Sequence, residues 1–343
     1  MKKKQIFYAA ILSFISVLSV FIMSENHGNM KTIQIYDVFD TYCEISAAGR
    51  NSDDALQKCS ELLHKYHNMW NTKDENSEIS KLNQASGTAP VHVSEDTLEL
   101  LTEAKKYSID TNGFFDITIG AAADLWNIPD NPRVPASDEL IDVIHKTGFS
   151  LLEINEADST AYLSKNGARV TLGGIAKGYA ADKLAEIMKK ENIGSALINL
   201  GGNVYALGKN EDGKPWQIGI ADPKISSKLI GTLSISNKAV VTSAGSYRYF
   251  ESNGVRYHHI LNPFTASPAN SGLLSVTIIS ANSTLADMLS TACFVIGYDQ
   301  SLPLLKEYGV EAIFVTDTNT VCVSSSLSDC FTHDSENYEY KTF

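Results

Sequence analysis

Apolar and polar positions change rhythm several times along the chain, and each change marks an element. An unbroken apolar run from Ile6 to Met23 follows Lys2, Lys3 and Lys4. Such a charged start and apolar stretch make an export signal, and the run is just long enough to stay as an anchor. From Lys31 to Ala47 the pattern alternates and predicts a strand opening the mature domain. Helical spacing follows over Asp53–His67, with Leu56, Cys59, Leu62, Leu63 and Tyr66 on one face. Ser77-Glu-Ile-Ser80 begins a short helix, and Ser94, with Glu95 and Asp96 behind it, caps a longer one ending near Asn112-Gly113.

Further on, a helix is predicted over Ser137–Thr147, then strands at Leu151–Ile154, Ala161–Leu163 and Ala168–Leu172. The next helix runs from about Gly178 to Lys190. Strands follow at Ala196–Leu200, Val204–Leu207, Trp216–Ile220, Leu229–Ile235, Ala239–Thr242, Arg256–Leu261 and Leu274–Ser280. Helices at Ser283–Val295 and Ser301–Tyr308 precede a last hairpin, Ala312–Thr316 with Val321–Val323. The expected class is α+β, with mixed and antiparallel sheets and flanking helices rather than a regular βαβ series. Three segments result: 1–30, signal peptide or membrane anchor; 31–327, one domain; and 328–343, a loose polar tail.

Composition narrows the function. A net charge of −12 with no basic patch repels phosphate backbones and argues against nucleic acid as a partner. The five cysteines include no Cys-x-x-Cys pair, which argues against zinc and iron–sulfur centres.

The candidate chemistry gathers in four segments. In Thr171-Leu-Gly-Gly-Ile-Ala-Lys-Gly-Tyr-Ala-Ala-Asp182, glycines and Lys177 sit where a strand turns into a helix. Free N–H groups, a positive helix end and an ammonium together suit a phosphate or pyrophosphate. The segment is neither a Walker A loop nor Gly-x-Gly-x-x-Gly, and its glycines alone would also make a plain tight turn. Asp287 and Thr291 are four apart and share a helix face, so both can reach one hard cation; a first-turn acid and a packing hydroxyl are the plainer reading. Of His258 and His259, adjacent on a strand, at most one faces a site as acid or base. Gly113-Phe-Phe-Asp116 can stack on and hydrogen-bond a heterocycle, or simply pack in a core.

Taken in order, the elements resemble the ApbE family of flavin transferases, also called FAD:protein FMN transferases. They are Ser77-Glu-Ile-Ser80, Gly113-Phe-Phe-Asp116, the Gly173–Asp182 turn, Asn199-Leu-Gly-Gly-Asn203, Gly245 to Tyr249, His258-His-Ile-Leu-Asn-Pro263 and Ala286-Asp-Met-Leu-Ser-Thr291. The resemblance spans about Ile33 to Val323. It implies an ApbE-like fold with FAD in a cleft, and Mg²⁺-dependent transfer of FMN from FAD to a threonine hydroxyl of an exported target protein, with release of AMP. By resemblance, FAD contacts fall on Phe39, Phe114, Phe115, Asp116, Thr171, Lys177 and Ile260, and the metal on Gly174, Asp287 and Thr291. Lys177 would steady the phosphate oxygens, and His259, or failing it His258, would handle a proton. Family members often carry Asp where Thr171 stands. The same residues would serve an Mg²⁺-dependent FAD pyrophosphatase or a flavin-binding protein without turnover. Export implies an extracytoplasmic location, at the membrane if the first segment is kept.

Overall fold

The computed structural model describes residues 30–343; the apolar run and its lysines lie outside the described residues. A nine-stranded sheet is the frame. Its strands, in spatial order, are Met30–Val38, Thr41–Ala48, Ser195–Leu200, Asn203–Gly208, Lys238–Ala244, Leu273–Ser280, Glu311–Thr316, Thr320–Val323 and Glu339–Thr342. All neighbours are antiparallel except the last pair, which is parallel.

Both faces of this sheet are covered, which explains why its central strands read as nearly continuous apolar runs. Ala196, Ile198, Leu200, Val241, Val276 and Ile278 point to one face, where Leu184, Met188, Met288, Leu289 and Ala292 of two helices pack. Their alternates Leu197, Val240 and Ile279 point to the other. There a three-stranded sheet, Trp216–Ala221, Leu229–Ile235 and Phe331–His333, supplies Trp216, Ile218, Leu233 and Phe331.

Four local expectations are corrected. The opening strand is a hairpin, because Phe39 and Asp40 both take left-handed φ (53° and 52°) in a two-residue turn between Val38 and Thr41. Ala168–Leu172 is extended but has no ladder, only an isolated bridge from Arg169 to Ile119. Asn83 replaces the missing strand: its Oδ1 accepts from Val170 N at 2.6 Å and its Nδ2 donates to Val170 O at 3.0 Å. The short helix Glu78–Gln84, capped by Ser77, is what brings Asn83 there. Arg256–Leu261 breaks in two, and its first part, Val255–His258, pairs with a strand the pattern does not reveal, Tyr249–Ser252.

The fourth correction is the tail. Residues 328–343 are polar on average but not loose. Phe331–His333 joins the small sheet and Glu339–Thr342 closes the large one. Tyr338 is buried, and its hydroxyl donates to Asp222 Oδ1 at 2.7 Å. Alternation in strands of three and four residues is too short to stand out from a coil. All five cysteines are free thiols.

Phe331 fills the space above Gly231, where any added Cβ would lie 2.2 Å from its ring. Phe331→Ala should therefore cost about 3–5 kcal/mol of unfolding free energy, read as a fall in the urea midpoint at unchanged slope. A loss under about 1 kcal/mol would show that the C-terminal strands are not part of the core.

Candidate active site

Two helices form the rigid side of the site: Ala176–Lys190, here the lysine helix, and Ser283–Ile296, the aspartate helix. The lysine helix has no side-chain cap of its own. Asp287 provides one from the other helix, its Oδ2 accepting from Gly178 N at 2.9 Å. The favour is returned by Asp182, whose carboxylate accepts from Ser283 N (2.9 Å), Thr284 N (2.8 Å) and Thr284 Oγ1 (2.7 Å). Burial pushes the Asp182 carboxyl above its ordinary range, and those three hydrogen bonds oppose the shift.

Such closeness requires glycine. A Cβ on Gly178 would lie 2.4 Å from Ser283 O and 2.7 Å from Asp287 Cβ. Gly174 is likewise set against Thr291, with 3.2 Å from its ideal Cβ to Thr291 Oγ1 and 3.3 Å to the Phe115 ring. Ser243 Oγ lies 2.8 Å from Ser290 Oγ and 3.3 Å from Thr291 Oγ1, which places a third hydroxyl at the same spot. Lys177 Nζ donates to Gly173 O at 3.1 Å and stands 3.9 Å from Asp287 Oδ2.

The expected metal residues Gly174, Asp287 and Thr291 are thus brought into one neighbourhood beside Lys177. Among the described residues no group of three or more His, Cys, Asp or Glu could hold a metal. A single buried carboxylate with hydroxyl and carbonyl oxygens suits a hard cation that also draws ligands from a bound phosphate, not a soft-metal cage. The residues present therefore fit Mg²⁺: Asp287 keeps Oδ1 free of Gly178, and the Cβ-less Gly174 leaves room beside Thr291.

Opposite lies a softer side built from loops. Phe39 sits at the left-handed turn, its N–H donating to His67 Nδ1 at 3.2 Å and its ring stacked on Trp70 with centroids 6.4 Å apart. A bulky residue at positive φ is uncommon, and such backbone costs about 1–3 kcal/mol, so the surroundings must hold it. Phe114 is half-buried and meets exposed Phe264 edge-on at 5.0 Å. Phe115 is buried. Asp116 turns inward, its Oδ1 accepting from Thr118 N (2.8 Å) and Thr118 Oγ1 (2.7 Å), and burial raises its pKa. Thr171 N donates to Ile117 O at 2.8 Å, tying the glycine turn to this aromatic segment, and Ile260 is buried beside the histidines.

The adjacent histidines take opposite roles. His258 Nε2–H donates to Ala269 O at 3.0 Å, Phe294 meets its ring edge-on, and Gly245 lies against it. Burial holds it neutral. His259 Nδ1 faces Arg248 O at 3.2 Å, and its ring keeps solvent-exposed surface within the cleft. Desolvation, then the charges of Arg248, His258 and Lys177, push its pKa below the ordinary histidine range. A lowered pKa leaves the imidazole neutral at neutral pH.

Sequence reasoning missed the capped donor Gly178 and the reciprocal cap Asp182, together with Ser243 and Arg248. Gly178 and Asp182 lie inside the motif but their roles need the second helix, 100 residues on. Ser243 is one hydroxyl in an apolar strand and carries no signal. A separate cavity of about 410 Å³ is lined by Asp124, Arg133, Lys146 and Arg169. Each of its cations already has a carboxylate partner, so it offers no free charge to a ligand.

Lys177, a buried carboxylate and a helix N-terminus beside aromatic side chains suit a phosphate-bearing aromatic ligand, and comparison with known proteins gives the class, a flavin transferase. The ApbE family model matches residues 39–314, and the chain belongs to the ApbE family. It is 36% identical over 291 residues to the FAD:protein FMN transferase of Treponema pallidum, covering 80% of each chain. With that of Klebsiella pneumoniae it shares 34% over 277 residues, or 80% of this chain and 86% of the relative. Among solved structures, the ApbE protein of Thermotoga maritima superposes with a TM-score of 0.81 at 31% identity, over 87% of this chain and 97% of that one. The flavin transferase ApbE of Vibrio cholerae gives 0.75 at 26%, over 90% and 98%.

Gly178→Ala should drive the two helices apart, because the atoms it meets are backbone and Cβ rather than a flexible tip. The expected cost is about 1–3 kcal/mol in urea unfolding. Unchanged stability would mean that the helices are not locked at this point.

Proposed function

We propose that the protein is an Mg²⁺-dependent FAD:protein FMN transferase acting on a threonine of an exported target. The observation that carries the reading is the meeting of Lys177, Gly174, Asp287 and Thr291 at the crossing of two reciprocally capped helices. In the reaction the threonine oxygen attacks the FMN-side phosphorus of FAD. A new P–O bond forms, the bond to the bridging pyrophosphate oxygen breaks, and AMP leaves. His259 Nε2 takes the hydroxyl proton, since its Nδ1 is engaged by Arg248 O. Lys177 holds positive charge against the phosphate oxygens as charge builds on them. Asp287, Thr291 and the Gly174 backbone would hold Mg²⁺, which when bound neutralises pyrophosphate charge. Phe39 and Phe114 offer ring faces and edges to the isoalloxazine.

Water in place of threonine would make the enzyme a pyrophosphatase, and no attack at all would leave a binder. One assay separates them: FAD, Mg²⁺ and a threonine-bearing acceptor. Covalent flavin fluorescence on the acceptor is the expected result; free FMN or unchanged FAD would point to the other two. Asp287→Ala and EDTA should each abolish transfer, with Mg²⁺ reversing only EDTA. His259→Ala should slow it by roughly 10²–10⁴ while FAD affinity stays within a few-fold. Activity that survives exhaustive chelation would remove the metal from the mechanism.

The first segment, with its three lysines and apolar run, supports export and an extracytoplasmic site of action. Fractionation of cells making the full chain should recover it outside the cytoplasm, free or at the membrane. Recovery in the cytoplasm alone would refute export.

A further inference from the structure

Arg248 bridges two loops of the softer side. Its Nη2 donates to Asp40 O at 2.9 Å, reaching across 208 positions of sequence to the turn that carries Phe39. Its backbone carbonyl receives two donors from a single residue, His259 N at 3.1 Å and His259 Nδ1 at 3.2 Å. A carbonyl oxygen has two lone pairs and can only accept, so Nδ1 must carry the ring proton and Nε2 is left bare. The loop bearing that carbonyl, Gly245 to Arg248, leaves the large sheet at Ala244 and enters the exposed hairpin Tyr249–Ser252 with Val255–His258. Near the imidazole, the Asp40 bond is the side-chain tie that pins this loop to the opposite wall.

We propose that Arg248 is a positioning residue for His259: its guanidinium fixes the loop across the cleft, and its carbonyl then holds the imidazole as the Nδ1–H tautomer with Nε2 free to accept the threonine proton. The inference rests on the transferase reading for its catalytic consequence, but the tautomer itself does not. A second effect follows from charge. The guanidinium, together with Lys177 and His258, opposes protonation of His259 and keeps it basic-site competent over a wider acid range. Without the arginine the folded pKa of His259 rises, so the acid limb of the rate profile moves to higher pH.

The test uses Arg248→Ala and Arg248→Lys in the full chain, with His259→Gln to assign the resonance. ¹⁵N-histidine spectra of the substrate-free protein should show His259 protonated on Nδ1 in the wild type and a tautomer mixture in Arg248→Ala. In transfer assays Arg248→Ala should lose roughly 10- to 100-fold in kcat, less than removal of the base itself, with KM for FAD within about threefold. Its acid limb should rise by roughly 0.5–1 unit. Arg248→Lys, which keeps the charge but not the planar reach, should retain the wild-type limb and still lose kcat. A wild-type His259 protonated on Nε2 would overturn the inference. So would an Arg248→Ala enzyme with unchanged kcat and tautomer, or one whose loss lies wholly in KM. If the wild type transfers no FMN, the functional reading fails, while the spectra still decide the tautomer.

Discussion

Everything at the site depends on how closely two helices approach at Gly178. The N–H of that residue is an orphan of the lysine helix, and the Asp287 carboxylate reaches it only because no Cβ intervenes. Asp182, one turn further on, accepts from the first two N–H groups of the aspartate helix in return, beside that helix's own cap, Asn282. Each helix therefore satisfies orphan donors of the other, and neither can shift along its axis without stranding a buried carboxylate. An unsatisfied buried charge is among the costliest defects a fold can carry. The same two carboxylates that lock the helices also bring Lys177 and Thr291 close to Asp287. Packing and chemistry share one set of atoms.

This double use explains what could be read from the sequence. Asp287 and Thr291 have helical spacing and Lys177 stands at a glycine-rich turn, so local geometry made them candidates, and the ordered family motifs turned them into expectations. The large sheet was equally open, since Ala196–Leu200 and Leu274–Ser280 are dominated by apolar, β-favouring residues. Partnership was not. That Gly178 needs Asp287, or that Asn83 stands in for a strand beside Val170, depends on contacts 109 and 87 positions apart. Nothing in the local pattern of either residue encodes them. The C-terminal strands failed for a related reason: Phe331 and Tyr338 are single apolar residues among polar neighbours, and only Gly231 and Asp222 give them a place.

The two histidines show how the surroundings divide identical residues. Adjacent on the chain, they must face opposite ways; spacing alone left the two equivalent, and only the family resemblance favoured His259. The structure distinguishes them by hydrogen bonding. His258 gives its Nε2 proton to Ala269 and is closed in by Gly245 and Phe294, leaving its Nδ1 buried without a partner. His259 gives its Nδ1 proton to Arg248 and keeps its other nitrogen clear. One imidazole is tied down as a structural bolt, and the other keeps a ring nitrogen without a hydrogen-bond partner, which is what the proposed proton transfer would use.

The site thus has two halves of different stiffness. Its phosphate half is built on helices whose caps are buried and mutual. Its aromatic half rests on a strained two-residue turn and a loop, held by His67 to Phe39, Lys73 to Asp40, and Arg248 to the Asp40 carbonyl. Those ties are single polar contacts with solvent nearby, each worth at most about 1–1.5 kcal/mol, so they open far more readily than the helix pair. A dinucleotide with a compact charged centre and a broad flat end suits that division. The pyrophosphate needs donors fixed before it arrives, because misplaced charge is not forgiven in a desolvated site. Positive φ at Phe39 puts strain into the turn, and the contacts from His67, Lys73 and Arg248, together with the strand ladder on either side, are what hold it in place.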